Sequence, residues 1–185
     1  MDSLRGRMRI IYTFMFSISY DPTQDLQNWL RIKAKYPETF KLTQFYPFDK
    51  RIRLSKNNFE KIVKTIPAGK IQEFNRQAET LKIVWQKQED EVIKKITTFL
   101  KTPFQKFNLA ANLTTAYYMP YDYSHKWFMA PTHKNLNGQL ICIIHELFHF
   151  YDIQKNGERG YEEKEKALEE FWQWFSSKNS KTQIG

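Results

Sequence analysis

The chain has 185 residues, of which 41% are hydrophobic and 16% aromatic, a composition typical of a folded globular domain and not of a disordered chain. Its formal net charge is +9, which indicates either a polyanionic partner such as nucleic acid or a lysine-rich, solvated surface. The single cysteine, Cys142, excludes an internal disulfide and fits a reducing compartment, so we expect a cytoplasmic protein.

No apolar run reaches the roughly 18 residues that a membrane-spanning helix needs, so we expect no membrane span. Residues 5–19 are first basic and then mostly apolar, which faintly resembles an export signal. Because polar residues interrupt this segment and it has no clear cleavage site, we interpret it as a first β-strand or a packed arm. Export by a weak N-terminal signal stays open as an alternative.

The first hundred residues are predicted to be mostly helical. Residues 23–36 place their apolar side chains on one side and indicate a short helix. A short strand is expected near residues 41–46, and Ser55 is a candidate N-cap for a helix that closes at Pro67. The longest helix is predicted over residues 71–100, where apolar residues recur at the helical period of 3.6.

The composition changes after Pro103. Residues 107–131 lack helical periodicity and are rich in threonine, tyrosine and phenylalanine. These residue types favour the extended backbone of a strand, so the segment predicts two strands around a turn at residues 120–125.

Two helices are predicted to close the chain. The first runs from Gln139 to about residue 155 and stops at Asn156-Gly157, and the second covers roughly residues 161–175. The expected fold class is therefore α+β, mainly helical, with a small antiparallel sheet packed beside the last two helices.

Residues 145–149 read His-Glu-Leu-Phe-His, an HExxH pattern inside the first of these helices. Residues four apart lie one turn apart on the same helix face, so the imidazoles of His145 and His149 can converge on one tetrahedral Zn²⁺. Glu146 then faces the open side of the metal, where it can take a proton from a water molecule. The alternative is a pair of structural histidines in the core, but a buried helix with this polar trio fits a metal site better.

HELFH, followed by a glutamate-rich helix, resembles the gluzincin-type zinc metallopeptidases over residues 112–175. The resemblance implies Zn²⁺ as cofactor, His145 and His149 as ligands, Glu146 as general base and a third ligand glutamate from the following helix. The metzincin variant is unlike this chain, because its further motif positions hold Asp152 and Lys155 here.

Several glutamates of the second helix are candidates for the third ligand. Spacing similar to that of thermolysin-type enzymes favours Glu169, while the helical angle favours Glu163 and Glu170 or, on another side, Glu165. A Lys-Glu pair opening this helix, as in small bacterial HExxH proteins that the chain resembles, favours Glu165. We select Glu165, with Glu169 next, and expect the other glutamates to be solvated charges.

Upstream of the motif, the side chains of Tyr118, Tyr121 and His125 are candidates for substrate binding. Each can donate a hydrogen bond to an oxyanion that develops on a substrate carbonyl. A strand over residues 114–118 or 126–130 could also hold an extended peptide by edge pairing, because such pairing uses only backbone groups.

The sequence therefore predicts one domain over residues 1–185. Residues 1–103 form a helical part of unknown role, residues 104–178 a zincin-like catalytic part, and residues 179–185 a flexible tail. The expected function is a small zinc-dependent metallopeptidase acting on a peptide or protein substrate. The alternative is a basic protein that binds nucleic acid or another partner and whose HExxH site is structural or inactive; its support is the charge of +9, and no nucleic-acid motif accompanies it.

Overall fold

The computed structural model describes residues 16–103 and 105–179, with side chains as far as residue 177. None of the helices in these ranges combines the length and apolarity needed to cross a membrane. The fold is α+β, as predicted. In chain order its elements are β1 (Phe16–Tyr20), α1 (Pro22–Lys35), a 3-10 turn (Lys56–Asn58), α2 (Phe59–Val63), α3 (Ala68–Leu100), β2 (Leu109–Thr114), β3 (Tyr121–Asp122), β4 (Trp127–Pro131), α4 (Leu136–Asn156) and α5 (Tyr161–Asn179).

The sheet is mixed, so the prediction of an antiparallel sheet is wrong. Its strand order is β1-β2-β4-β3, with β1 and β4 both parallel to β2 and only the two-residue β3 antiparallel to β4. From the sequence, the segment between β2 and β4 is predicted to turn at residues 120–125. It covers residues 115–126 and is long enough to return the chain to the start of a parallel strand.

The strands predicted to pair with an extended peptide are not at the edge of the sheet. Both β2 and β4 have a strand on each side. Beyond β3 the outer side of β4 ends at Pro131, which has no N–H and whose carbonyl oxygen accepts a hydrogen bond from Gln139 at 2.9 Å. Residues 115–118 lie beyond the end of β2 and form no strand, and within the described residues the outer side of β4 is taken up by β3, Pro120 and Gln139.

Helices cover both faces of the sheet. The face that carries Phe16 and Phe128 packs against α3 and α4, with the Phe16 ring 5.1 Å from that of Trp85 and the Phe128 ring 6.3 Å from that of Phe150. Helix α1 covers the opposite face, where the Arg31 guanidinium lies 5.1 Å from the centre of the Trp127 ring. Parts of the chain on both sides of residue 104 thus share one sheet and one core.

A buried carboxylate joins α1 to the end of β2. Asp25 is fully buried. Its oxygens accept hydrogen bonds from the hydroxyls of Thr114 and Thr115 at 2.7 Å, the amide of Thr115 at 2.9 Å and the hydroxyl of Tyr20 at 3.1 Å. These donors offset the cost of removing a carboxylate from water, so α1 and β2 are held in one relative position.

The next turn of α1 fixes the segment that follows β2. The amide of Asn28 donates to the carbonyl oxygen of Tyr118 at 2.7 Å, and the indole N–H of Trp29 donates to the hydroxyl of Thr115 at 2.9 Å. Both side chains are fully buried. Helix α1 therefore positions residues 115–118, the start of the segment between β2 and β3.

Two local predictions in the first hundred residues are wrong. Residues 41–46 form no strand; Tyr46 is buried in a turn, its ring 5.2 Å from that of Trp29, because aromatic packing takes the place of a sheet partner. Ser55 makes no capping hydrogen bond with its side chain, and the chain after it forms only the 3-10 turn and the short α2.

The predicted helices otherwise agree closely with the structure. α1 and α3 begin and end within three residues of the expected bounds, and α3 ends where Lys101 takes a left-handed φ of 53°. The expected first strand is present as β1, while residues 5–15 lie outside the described residues. Of the expected tail, residue 179 ends α5 and residues 180–185 also lie outside the described range.

Candidate metal centre

Helix α4 carries the HExxH residues and has most of its side chains buried. The side chain of Asn135 accepts a hydrogen bond from the Gly138 amide at 2.9 Å and so caps the first turn. The helix ends at Gly157, whose φ of 77° suits glycine and which stands at the predicted stop. Between these ends most side chains are buried, including Glu146 and His149, while His145 is half-buried.

The side chains of His145, His149 and Glu165 meet at one point. One ligand-type atom from each lies within 4.8 Å of the others. The two imidazole Nε2 atoms are 3.1 Å apart, and Glu165 Oε1 is 3.4 Å from His149 Nε2. Both candidate metal-binding histidines and the selected glutamate of the sequence analysis are therefore brought together.

The packing of α5 on α4 selects among the glutamates. The ring of Phe171 stacks on that of Phe148 at 4.9 Å, which places the first turns of α5 beside His149. Glu165 is half-buried, whereas Glu163, Glu169 and Glu170 are exposed. Glu165 is the α5 glutamate that joins the two histidines.

Two of the three separations between these atoms, both measured from His149 Nε2, fit a tetrahedral metal ion. Two ligands bound at 2.0–2.1 Å with tetrahedral angles lie about 3.3 Å apart. The separations of 3.1 Å and 3.4 Å around His149 Nε2 are close to that value. Two nitrogens and one carboxylate oxygen are also a donor set that zinc accepts.

Local electrostatics keeps both imidazoles neutral. Burial, with smaller contributions from the neighbouring His145 and Lys164, lowers the pKa of His149 to about 4. Burial and the Lys134 ammonium also lower the pKa of His145. A neutral imidazole retains the lone pair that a metal requires, so these residues need not lose a proton before they can bind one.

Glu146 is a buried carboxyl group with an unpartnered oxygen. It is 7% exposed, and its Oε2 atom has no hydrogen-bond partner within the described residues. Its Oε1 atom is 4.0 Å from His145 Nε2. The pKa of Glu146 is raised to about 8, mainly by burial; the Glu165 carboxylate contributes to the rise and the Lys164 ammonium opposes it.

Asp152, three residues beyond His149, does not orient a ligand imidazole. It is buried, and its oxygens accept hydrogen bonds from Asn156 and Arg159. The second ring nitrogen of His149, Nδ1, has no partner among the described residues. Asp152 therefore ties the end of α4 to the turn before α5.

The three ligand-type side chains open into a cleft of about 950 Å³. Tyr118 and Tyr121 line it, as expected for substrate-binding residues, and the Tyr121 ring stacks on that of His149 at 6.0 Å. His125 does not line this cleft. It is exposed, donates its amide to Asp122 at 2.9 Å, and borders a separate groove beside Trp127.

The cleft also contains charged residues that the sequence analysis missed. The ammonium of Lys164 donates to the Tyr121 hydroxyl at 2.6 Å and to Glu158 Oε1 at 2.7 Å. Lys35 and its neighbour Tyr36, at the end of α1, also line the cleft. In the sequence, Lys164 served only to favour its neighbour Glu165 as the candidate third ligand. No local pattern indicates that α1 reaches the same cleft.

The chain has no counterpart in three comparisons with known proteins: no family model, no curated protein and no solved structure matches it.

Proposed function

We propose that this protein is a zinc-dependent metallopeptidase, in which His145, His149 and Glu165 hold the ion and Glu146 is the general base. One observation carries the proposal: two neutral imidazoles and a carboxylate converge within 4.8 Å beside the buried, unpartnered oxygen of Glu146. Three protein ligands of this kind leave one coordination position free, which is the pattern of catalytic zinc sites. When bound, the ion would supply positive charge that polarises a peptide carbonyl and lowers the pKa of water toward ~7.

Glu146 has the properties of a proton carrier. A general base works best with a pKa near the operating pH, and burial holds the pKa of metal-free Glu146 at about 8. Glu146 takes a proton from the attacking water as the water oxygen bonds to the peptide carbon. It then passes that proton to the amine nitrogen as the C–N bond breaks, so that one water is added across the peptide bond.

We infer that Tyr121 stabilises negative charge that develops on the substrate. Its hydroxyl oxygen accepts a hydrogen bond from Lys164 at 2.6 Å, and this polarises the O–H bond. The hydroxyl also has a long hydrogen bond to Glu158 Oε1 at 3.5 Å, and we propose that its proton turns from there to the carbonyl oxygen that gains charge during attack. Lys164 is itself neutralised by Glu158 at 2.7 Å, so the group acts as a donor without adding a free cation.

The test combines metal content with hydrolysis of fluorogenic peptides. Wild-type protein should bind about one zinc and cleave peptide; Glu146→Gln should keep the zinc and lose at least about a hundredfold in kcat, because only the base is removed. His149→Ala should lose both. A fully active Glu146→Gln protein, or unchanged zinc content in His149→Ala, would overturn the proposal.

A further inference from the structure

One cation in the cleft is held between aromatic rings. The Lys35 ammonium donates to the Tyr118 hydroxyl at 3.1 Å and lies 4.6 Å from the centre of that ring and 5.3 Å from the centre of the Tyr36 ring. The two rings meet edge to face at 6.2 Å. Tyr118 is fixed in turn by the hydrogen bond from Asn28 to its carbonyl oxygen. The lysine at the end of α1 therefore has a defined place on the cleft wall.

This cation has no carboxylate partner in the part of the chain that the structure describes. Its hydrogen bonds and electrostatic neighbours are the tyrosines 36 and 118. The other charged groups of the cleft are already engaged: Lys164 pairs with Glu158, and Asp122 pairs with His125. An ammonium has three donors, and the tyrosine hydroxyl uses one of them.

We propose that Lys35, between Tyr36 and Tyr118, is a specificity subsite that receives a carboxylate of the polypeptide substrate, the side chain of an aspartate or glutamate. The inference rests on the proposed peptidase function. A single carboxylate fits this site better than a polyphosphate chain does. Among the described residues that line the cleft, Lys35 and the paired Lys164 are the only lysines or arginines, so the lining offers no row of cations for an extended polyanion.

Exposed tyrosines on the cleft lining add contact area to the subsite. Tyr36 and Tyr117 expose 40% and 45% of their surface, and Tyr161 exposes 75%, all of them on the lining of this cleft. Large rigid aromatic side chains contribute strongly to polypeptide binding at small entropic cost. They supply contact area, while Lys35 supplies the charge preference. Because Lys35 is exposed, its ion pair with an acidic residue is expected to favour that residue about fivefold over its neutral amide.

The experiment uses quenched fluorescent peptides in which glutamate, glutamine and lysine are placed in turn at each position flanking the cleaved bond. Wild-type protein should prefer glutamate about fivefold in kcat/KM at one position. Lys35→Met should lose this preference, and Lys35→Glu should prefer lysine at the same position. Lys94→Glu is the matched control: it makes the same charge change at an exposed site on α3, away from the cleft, and should behave as wild type.

Binding of the same labelled peptides to zinc-loaded Glu146→Gln protein, with and without Lys35→Glu, separates this inference from the proposed function. Charge-selective binding that inverts with Lys35→Glu, without cleavage by the wild type, would support the subsite and overturn the peptidase. Cleavage with no glutamate preference, or a preference that Lys35→Glu leaves unchanged, would overturn the subsite alone. Binding of a single-stranded oligonucleotide that depends on Lys35, in place of peptide selectivity, would also overturn it.

Discussion

Replacing Glu146 by glutamine should change how the stability of the metal-free protein depends on pH. Burial holds the pKa of Glu146 at about 8 in the folded protein, against an ordinary value of 4.5. Because the folded-state pKa is the higher one, the stability contributed by proton binding is fully present below pH ~4.5 and is lost as the pH rises through about 8. The difference between the two pKa values corresponds to on the order of 4 to 5 kcal/mol.

Glutamine has the same shape but does not titrate. The free energy of unfolding of wild type, minus that of Glu146→Gln, should therefore fall by about 4 kcal/mol between pH 5 and pH 9. Other titrating groups are common to both proteins and cancel in this difference. Urea unfolding followed by tryptophan fluorescence, in the presence of a chelator, measures it at each pH.

Glu163→Gln is the matched control for this measurement. Glu163 is exposed on α5, so the same chemical change there should leave the pH dependence of stability as in wild type. If the difference between wild type and Glu146→Gln stayed constant within about 0.5 kcal/mol from pH 5 to pH 9, the buried carboxyl group would not have the environment described above.

Three more predictions concern the metal centre and the frame that carries it. Zinc binding at pH 7 should release about one proton from wild type and fewer from Glu146→Gln. The reason is that the cation lowers the raised pKa of Glu146, whereas His149, with a pKa of about 4, is already neutral. Calorimetry in buffers of different ionisation enthalpy measures the number of protons released, and equal release from the two proteins would contradict the prediction. Glu165→Gln should weaken zinc binding at least about a hundredfold in a chelator competition, while the exposed Glu169→Gln should leave it unchanged; equal weakening in both would refute the choice of ligand. Asp25→Ala should lower the free energy of unfolding by about 3–5 kcal/mol at pH 7, because it leaves buried donors without an acceptor, and a loss below about 1 kcal/mol in urea unfolding would argue against that network.

Local features could be predicted from the sequence where a local signal is strong. Helix α4 ends at the predicted Asn156-Gly157, since a positive φ is easiest at glycine. Helix α3 follows from a long periodic pattern of apolar residues that a single buried face requires. The short segments failed: residues 41–46 have strand-forming side chains but no neighbouring strand, so they form an irregular turn that packs against Trp29.

Strand direction could not be predicted, because it depends on which parts of the chain meet. A polar turn between two apolar segments is typical of a hairpin, yet residues 115–126 lead the chain around so that β4 runs parallel to β2. Hydrogen bonds that Thr114 and Thr115 donate to Asp25, and that Asn28 donates to Tyr118, hold the first part of this segment to α1. Their partners are almost ninety positions apart in the chain, a separation at which no local pattern is informative.

The sequence by itself determined the placement of the two histidines and of the glutamate that we propose as ligands and base. Two histidines four positions apart on one helix face the same side, whatever surrounds them, and the glutamate next to the first lies beside them. Only the tertiary structure decided the rest of the site. Glu165 meets His149 because Phe171 stacks on Phe148, and Lys35 reaches the cleft because α1 is tied to β2. The i,i+4 spacing is a property of the helix, whereas the third ligand and the cleft wall depend on packing between distant segments.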